Sequence, residues 1–337
     1  MQYRPLGQSG ISASVVGLGT WVMGGWMWGG AEEADSIRAI HASLDAGINL
    51  LDTAPAYGFG LSETIVGKAI KGRRDRVVLA TKCNLVCDPF HGKTMFRSTT
   101  LGPDPQGHIF VNVYGGPESI RREVDESLAR LQTDYIDLYQ THWQDLTTPL
   151  EETMGALMDL KRAGKIRAIG VSNATSTQMD AYRRVGPLDS DQEKYSMLAR
   201  NIEQDQLPYC RHHQIAVLAY SPLGQGLLTG KIGPERQFAE GDMRRSDPLF
   251  DVENRQRIAQ MLSRIQPIAE THRLTLGQLA IVWTYHQPGL THVLCGARTA
   301  EQAQENAIAG DTQLTSDERD QIDAALTEYA AGLPPAP

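Results

Sequence analysis

Four side chains of types that donate or hold protons stand at or just after the ends of short apolar runs. Asp52 closes one run, and Tyr57 follows it five residues later. Lys82 ends the next run along the chain, and His142 follows a third. If these runs are parallel strands of one barrel, their carboxyl ends lie on the same rim, so we expect the four side chains to lie close together.

The chemistry that this set predicts is proton donation to a carbonyl oxygen. A lysine at such a rim must pair or lose its charge, and Asp52 is its candidate partner. A tyrosine becomes a useful proton donor when its pKa falls from about 10 toward neutrality, and an adjacent lysine cation acts in that direction. We therefore predict Asp52, Tyr57, Lys82 and His142 as catalytic residues. The other eight histidines have no metal-ligand spacing, so no metal site is predicted.

The elements that would position these residues alternate regularly along the chain. Eight short apolar runs are separated by segments with apolar residues at i, i+3 and i+4, which is typical of helices. Continuous apolar runs indicate strands buried on both faces, and helical connections indicate parallel neighbours. The predicted strands are Ser14–Gly17, Ile48–Asp52, Val77–Thr81, Ile136–Gln140, Ile166–Val171, Leu188–Asp191, Ile215–Tyr220 and His292–Cys295.

This alternation predicts an α/β fold, a single (β/α)8 TIM barrel domain spanning residues 1–337. In such a barrel the active site lies at the carboxyl ends of the strands, and long loops that follow strands lie on the same face. The segments outside the repeat are an N-terminal hairpin at the barrel bottom (2–6 and 11–13), long active-site loops (83–116 and 224–250) and two extra helices (254–272 and 315–329).

Composition excludes several classes of function. Lysine and arginine total 32 against 40 aspartate and glutamate residues, a net charge of −8, and no basic block is present, so no nucleic-acid partner is expected. No unbroken apolar stretch reaches the roughly 18 residues of a membrane span, so no membrane partner is expected. Four sparse cysteines predict free thiols and a cytoplasmic location. The sequence indicates no oligomeric state.

Two glycine-rich segments resemble phosphate-binding motifs but lack essential residues. The segment Gly17–Val22 has no third glycine where the dinucleotide fingerprint requires one. The segment Gly226–Ile232 is one residue too short for a P-loop and ends in isoleucine where serine or threonine must hold magnesium. Neither a Rossmann domain nor a nucleotide-hydrolysing P-loop is therefore predicted.

Seven ordered motifs resemble those of the aldo-keto reductases, and the resemblance covers nearly the whole chain. The segment Pro117–Val124 is most similar to the bacterial branch that includes methylglyoxal and inositol-pathway reductases. The motifs occupy residues 17–21, 52–57, 80–82, 134–143, 164–173, 220–226 and 296–302.

The resemblance implies a TIM barrel that binds an extended nicotinamide dinucleotide and reduces a carbonyl. Tyr57 would protonate the carbonyl oxygen, Lys82, held by Asp52, would lower the pKa of Tyr57, and His142 would orient the carbonyl. The implied cofactor-binding residues are Gly19, Thr20, Trp21, Asp52, Ser172, Asn173, Gln192, Tyr220, Ser221, Pro222, Leu223, Gln225, Gly226, Lys231, Arg244, Gly296, Arg298, Gln302, Glu305 and Asn306. At the nicotinamide end, the resemblance implies that Ser172, Asn173 and Gln192 hold the carboxamide and that Tyr220 stacks on the ring. Residues 221–226 and Lys231 would surround the pyrophosphate, and Gly296, Arg298, Gln302, Glu305 and Asn306 would hold the adenosine end. The expected substrate contacts are Tyr57, His142, Trp21 and Trp143, and Trp26, Trp28 and the aromatic residues of the 83–116 loop are further candidates for lining the mouth.

The expected cofactor is NADPH, with NADH as the alternative. Many members of the family carry a lysine and an arginine for the 2′-phosphate at the positions of Gly296 and Gln302. Arg298 is the main cation that remains for that role, and a guanidinium binds phosphate bidentately.

The main functional hypothesis is the reduction of small aldehydes, ketones or keto sugars. A competing hypothesis is an NAD(P)-dependent sugar or polyol dehydrogenase that runs the same chemistry backward. A third, from a different class, is a redox-sensing binding subunit like the channel-associated β subunits of this fold. Turnover with a panel of carbonyl compounds separates the enzymes from the binding subunit.

Overall fold

Eight parallel strands form a closed barrel, and at least one helix connects each strand to the next. The computed structural model describes residues 1–25, 28, 32–87, 90–98, 109–240 and 242–331. Trp26 and residues 88, 89 and 99–108 of the predicted loop lie outside that part of the chain. The predicted TIM barrel is confirmed. Its strands are β1 (Val16–Gly19), β2 (Leu50–Asp52), β3 (Val78–Cys83), β4 (Ile136–Thr141), β5 (Ile166–Ser172), β6 (Ser190–Lys194), β7 (Ala216–Tyr220) and β8 (Leu290–Gly296).

Apolar side chains on both faces of the strands explain why the runs are continuous. Successive residues of a strand point to opposite faces. Leu50 of β2 packs with Leu138 of β4 in a cluster inside the barrel, whereas the next residue, Leu51, belongs to the cluster between strands and helices. Both leucines of β2 are fully buried. A barrel strand that is covered by apolar groups on both faces, as β2 is, therefore has apolar residues at successive positions and not only at alternate ones.

The N-terminal hairpin closes the bottom of the barrel. Tyr3–Pro5 pairs in antiparallel fashion with Ser12–Ser14, and the buried side chains of Leu6 and Ile11 join the cluster inside the barrel. The turn must be tight: Gly7 has a φ of +57°, and a Cβ on it would lie 2.1 Å from the carbonyl oxygen of Asp189. The predicted hairpin is confirmed. Because it closes the bottom of the barrel, the opposite end, at the carboxyl ends of the strands, is the one available for ligands.

Ten α-helices are present in the described part of the chain. The two predicted extra helices are confirmed as α7 and α10, which pack against each other. None of the helices in the described residues is long and apolar enough to cross a membrane. The helices are α1 (Glu33–Asp45), α2 (Leu61–Ile70), α3 (Pro117–Leu131), α4 (Leu150–Arg162), α5 (Ser176–Arg183), α6 (Gln206–His213), α7 (Val252–Thr271), α8 (Leu276–Tyr285), α9 (Ala300–Ile308) and α10 (Ser316–Ala331).

The segment predicted as one long loop after β3 contains a small antiparallel sheet. Its strands are Leu85–Val86, Lys93–Ser98 and Ile109–Val113, and the last of these pairs with both others. The pairing shifts register between Thr94 and Phe96. This irregularity interrupts the alternation of polar and apolar residues that identifies a strand in a sequence.

Candidate active site

A buried ion pair forms the centre of the site at the carboxyl ends of β2 and β3. The Nζ of Lys82 lies 2.8 Å from Oδ2 of Asp52, and both side chains are almost completely buried. The same Nζ donates a hydrogen bond to the main-chain oxygen of Thr53 at 3.0 Å. Adjacent strands bring the two residues together, because Asp52 pairs in register with Ala80, two residues before the lysine. The predicted pairing of Asp52 and Lys82 is therefore present.

Tyr57 reaches this ion pair from the turn that follows β2. Its hydroxyl oxygen lies 3.1 Å from Nζ of Lys82. The turn passes close to another segment of the chain at Gly58, which has a φ of +66°. A Cβ on Gly58 would lie 2.2 Å from the carbonyl oxygen of Gly24. Only glycine fits there, so the turn that aims Tyr57 at Lys82 depends on it.

The electrostatics differ from the simple expectation that Lys82 lowers the pKa of Tyr57. Burial raises the pKa of Tyr57, the Lys82 cation opposes that rise, and the Asp52 carboxylate adds to it. Burial by itself would lower the pKa of Lys82, but Asp52 and then Tyr57 outweigh burial and raise it. Lys82 therefore remains a cation and Tyr57 remains protonated in the ligand-free site, because burial and then the Asp52 carboxylate together outweigh the effect of the lysine charge on the tyrosine.

His142 lies just beyond the end of β4, on the other side of the tyrosine. Its ring and that of Tyr57 meet edge to face, with centroids 5.8 Å apart. Burial, reinforced by the Lys82 cation, holds the pKa of His142 well below its usual range, so the imidazole is neutral. Its Nδ1 has no hydrogen-bond partner among the described residues. A neutral imidazole beside a tyrosine hydroxyl can hydrogen-bond a carbonyl oxygen without competing for the proton.

The second oxygen of Asp52 is held by two glutamines inside the barrel. The amide Nε2 of Gln192 donates to Oδ1 of Asp52 at 2.8 Å, and the Nε2 of Gln140 does so at 3.4 Å. Gln192 is predicted to hold a nicotinamide carboxamide, and its hydrogen bond to Asp52 fixes the position of its side chain. Gln140 was not predicted, although a glutamine inside the buried run of β4 is a signal that could have identified it.

Three residues predicted to bind the nicotinamide end are joined to one another. The hydroxyl of Tyr220, at the end of β7, donates to Oδ1 of Asn173 at 2.9 Å. Asn173, which follows β5, has a φ of +57° and donates from Nδ2 to the carbonyl oxygen of His142 at 3.1 Å. The hydroxyl of Ser172 is already committed to the main-chain oxygen of Gln192 at 2.7 Å. Tyr220 and Asn173 thus form one surface beside His142.

The chain after β7 is shaped like a phosphate-binding turn. Ser221, Gly224, Gln225 and Gly226 all have positive φ, at 55°, 53°, 54° and 102°. Turns that include left-handed residues can direct successive main-chain N–H groups into one concavity that binds anions. The Oε1 of Gln225 is buried without a hydrogen-bond partner among the described residues. The residues present therefore fit a ligand that carries phosphates and polar groups, as a nicotinamide dinucleotide does.

Three predicted cations have different partners. Lys231 forms an ion pair with Glu305 at 3.5 Å, and Arg244 forms one with Asp242 at 2.6 Å. Arg298 forms no ion pair with a described carboxylate, and its guanidinium donates to the carbonyl oxygen of Trp28 at 2.7 Å. Of the three, Arg298 is thus the cation whose charge is least compensated by a neighbouring acid.

The remaining residues predicted at the adenosine end are also close together. The Oε1 of Gln302 accepts a hydrogen bond from the main-chain N–H of Arg298 at 2.8 Å. Asn306 donates from Nδ2 to the carbonyl oxygen of Gly296 at 3.2 Å. These contacts connect α9 to the end of β8 and to the residues that follow it, where the predicted 2′-phosphate site lies.

Some predicted ligand contacts have side chains engaged elsewhere. The hydroxyl of Thr20 is fully buried and hydrogen-bonds to Oγ of Ser62 at 2.7 Å, while Pro222 is also buried. Trp21, at the end of β1, stacks on Tyr57 with ring centroids 6.1 Å apart. Trp143 is half-buried beside His142. No cluster of three potential metal ligands occurs within the described ranges.

Comparisons with known proteins identify the family. A family model described as "Aldo/keto reductase family" matches residues 15–327. The Aldo-keto reductase YhdN of Bacillus subtilis (strain 168) is 43% identical over 324 residues, which are 95% of this chain and 92% of the relative. The NADH-specific methylglyoxal reductase of Escherichia coli (strain K12) is 41% identical over 323 residues, 94% of this chain and 95% of the relative.

Solved structures agree with that identification. The glycerol dehydrogenase AKR11B4 from Gluconobacter oxydans superimposes with a TM-score of 0.86 and 37% identity, covering 99% of this chain and 98% of that one. An aldo/keto reductase from Klebsiella pneumoniae, in complex with NADP and acetate, has a TM-score of 0.72 and 31% identity, covering 96% and 95% of the two chains. The predicted resemblance is confirmed: the chain belongs to the aldo/keto reductase family and is an oxidoreductase.

Proposed function

We propose that the protein reduces small aldehydes, ketones or keto sugars to alcohols, with NADPH as its preferred coenzyme and Tyr57 as the general acid. The observation that carries this proposal is the position of Lys82, whose Nζ lies 2.8 Å from Asp52 and 3.1 Å from the hydroxyl of Tyr57. A tyrosine next to a buried cation can release its proton at a much lower cost than one beside neutral groups.

The residues divide the work of carbonyl reduction. The coenzyme, when bound, supplies the hydride. Tyr57 enters the reaction protonated, because burial raises its pKa, and it donates that proton to the carbonyl oxygen. Lys82 stabilises the tyrosinate that remains, and Asp52 keeps Lys82 in place. Neutral His142 donates a hydrogen bond to the same carbonyl oxygen and fixes its orientation.

The coenzyme preference is supported by the cation at the end of β8. Arg298 has no acidic partner among the described residues and can leave the Trp28 carbonyl for a stronger, doubly charged acceptor. Both coenzymes occur among similar proteins: the Klebsiella reductase was crystallised with NADP, and the Escherichia coli relative is named NADH-specific. We therefore propose NADPH as the preferred coenzyme and NADH as a usable one.

A second candidate is polyol oxidation, which the similarity to a solved glycerol dehydrogenase favours. Oxidation requires Tyr57 to accept a proton as the tyrosinate. Because burial raises the pKa of Tyr57, the protonated form predominates at neutral pH and the site favours reduction there. We expect oxidation to become significant only under alkaline conditions.

We also propose that the protein acts in the cytoplasm on small carbonyl compounds as a single barrel domain. All four cysteines are free, which is typical of a reducing compartment.

The test is oxidation of NADPH and of NADH by the purified protein with a panel of α-dicarbonyls, aldehydes and ketoses, and reduction of NADP⁺ with polyols. Carbonyl-dependent turnover supports the proposal. Absence of turnover with every carbonyl compound would contradict it, and faster polyol oxidation at neutral pH would favour the second candidate.

A further inference from the structure

Two acidic side chains are buried behind the surface formed by Asn173 and Tyr220. Asp191 and Glu193 stand two residues apart on β6 and are 0% and 6% exposed. Their neighbour Gln192 reaches Asp52 inside the barrel, so strand alternation directs the two acids to the helix side. They belong to the structure behind the site, and the mechanism above uses neither.

The loop after β5 is held by this part of β6. The Oε1 of Glu193 accepts a hydrogen bond from the main-chain N–H of Ala174 at 2.9 Å. The carbonyl oxygen of Gln192 accepts one from the N–H of Asn173 at 3.1 Å. Asn173 has a left-handed φ of +57°, a conformation that must be maintained by its surroundings. By accepting the hydrogen bond from Ala174, Glu193 therefore helps to hold the preceding residue, Asn173, in this conformation.

The contacts of Asp191 imply a shared proton. Its Oδ1 is buried and has no hydrogen-bond partner among the described residues. Glu193 lies two residues away on the same face of β6, and both acids are buried. Two neighbouring carboxylates that are buried without a basic partner cannot both be charged, so one of them must carry a proton. A proton on Asp191, donated to Glu193, satisfies the unpartnered oxygen.

Other titratable groups around the pair add no positive charge. The thiol of Cys210, on α6, lies 3.9 Å from Oδ2 of Asp191, and burial raises its pKa so that it stays neutral. The other titratable groups near the pair are Asp205, which precedes α6, and the hydroxyl of Tyr220 on β7. In the described part of the chain, neither Asp191 nor Glu193 forms an ion pair with a basic side chain.

We propose that Asp191 and Glu193 are positioning residues that share one proton, with neutral Asp191 as donor, and that ionised Glu193 holds Asn173 and Ala174 in the conformation that binds the coenzyme. The inference rests on the proposed role of Asn173 at the nicotinamide end. A carboxylate accepts a hydrogen bond about twice as strongly as a neutral group, so ionisation of Glu193 tightens the loop.

The change in charge falls in the physiological range. Burial raises the pKa of Glu193 to about 7, although the hydrogen bonds from Ala174 and Asp191 oppose that rise. Burial and the neighbouring charge of Glu193 keep the pKa of Asp191 well above its usual range. Glu193 therefore gains its charge as the pH rises through neutrality, and the pKa shift of Asp191 is in the direction that favours its keeping the shared proton.

The experiment measures the dissociation constant of NADH between pH 6 and pH 8.5 by quenching of tryptophan fluorescence. NADH is the probe because it lacks the 2′-phosphate, whose second ionisation near pH 6 would obscure the result. The proteins compared are the wild type, Glu193→Gln, Asp191→Asn and Asp191→Leu. A second readout is the exchange of the Ala174 amide hydrogen in the coenzyme-free protein, corrected for the intrinsic effect of pH.

Wild-type affinity should be about fivefold weaker at the acidic end, the difference between a neutral and a charge-assisted hydrogen bond. Glu193→Gln should bind weakly and show no pH dependence in affinity or exchange. Asp191→Asn should keep the wild-type profile, because an amide donates the same hydrogen bond without titrating. Asp191→Leu removes the donor and should shift the midpoint to higher pH.

The outcomes separate this inference from the proposed function. A Glu193→Gln protein with the wild-type pH profile would overturn the inference while leaving the function intact. If Glu193→Gln does not fold, Asp191→Asn provides the test. Loss of the pH dependence of NADH affinity in Asp191→Asn would also overturn the inference. Failure of the wild type to bind NADH or NADPH at any pH would refute the proposed function and with it the coenzyme part of the inference, whatever the exchange data show.

Discussion

Replacement of Arg298 by alanine tests the coenzyme preference through a single contact. A hydrogen bond to a charged group contributes about 1.5–3 kcal/mol, but Arg298 must first give up its 2.7 Å bond to the Trp28 carbonyl. That lost bond costs about 0.5–1.5 kcal/mol, so the middle values of the two ranges leave a net contribution to NADPH binding of about 1.2 kcal/mol. Arg298→Ala should therefore weaken NADPH about five- to tenfold and leave NADH nearly unchanged.

The assay is the dissociation constant of each coenzyme for the wild type, Arg298→Ala and Lys231→Ala, at low and high salt. Lys231 is the matched control, because it is already paired with Glu305 at 3.5 Å and is assigned to the pyrophosphate that both coenzymes share. Its replacement should weaken NADPH and NADH equally. The preference of the wild type for NADPH should fall as salt rises, since an exposed charge pair is screened over about 10 Å at 0.1 M.

Equal losses of NADPH and NADH in Arg298→Ala would refute this reasoning and assign Arg298 to the shared part of the adenosine pocket. A wild-type protein that prefers NADH would overturn the proposed coenzyme preference.

The other predictions concern the catalytic centre and the barrel bottom. Tyr57→Phe should lower carbonyl reduction by about 10²- to 10⁴-fold while coenzyme dissociation constants stay unchanged, and wild-type turnover would exclude Tyr57 as the acid. Lys82→Met leaves the buried Asp52 carboxylate unpaired, so urea unfolding should show a loss of about 3–5 kcal/mol; a loss below 1 kcal/mol would mean that the pair adds little to stability. Burial lowers the pKa of His292 to about 4, so the unfolded chain binds a proton that the folded chain excludes between pH 6.5 and 4. The free energy of unfolding should fall by up to about 3 kcal/mol as the pH falls through that window. His292→Asn should lose the contribution of His292 to this pH dependence. Unfolding of both proteins at pH 7 and at pH 5 measures the difference.

The order of the strands and the meeting of four polar side chains at one rim could be predicted because local patterns determine them. Continuous apolar runs identify strands buried on both faces, and the polar residue at the end of each run identifies the rim. The sixth strand shows the limit of this rule. It was predicted over Leu188–Asp191 but lies at Ser190–Lys194, a sequence without an apolar residue. Four of its five side chains are nevertheless buried. Gln192, for example, hydrogen-bonds across the barrel to Asp52, a contact that no periodicity in hydrophobicity can reveal.

The electrostatic balance at the centre also depends on distances that a sequence does not contain. The motif identifies Lys82 and Tyr57 as neighbours, and it predicts correctly that the cation opposes a high tyrosine pKa. Whether burial or charge dominates depends on how deep the group lies and how close the Asp52 carboxylate is. The positions of Gln140 and Gln192 against Asp52 likewise follow from the closure of the barrel and not from their spacing.

Closure of the barrel has a consequence for how the chain reaches its native state. The barrel closes where the last strand, β8, pairs with the first, β1, as at Val293 and Val16. Strands from opposite ends of the sequence must therefore meet, and the chain loses loop-closure entropy before this contact stabilises anything. Pairs such as β4 and β5 lie close together in sequence and can form early as βαβ units. Folding should consequently be slow and end with the pairing of β8 and β1, so an open barrel with two unpaired strand edges is the species most exposed to aggregation before the active site exists.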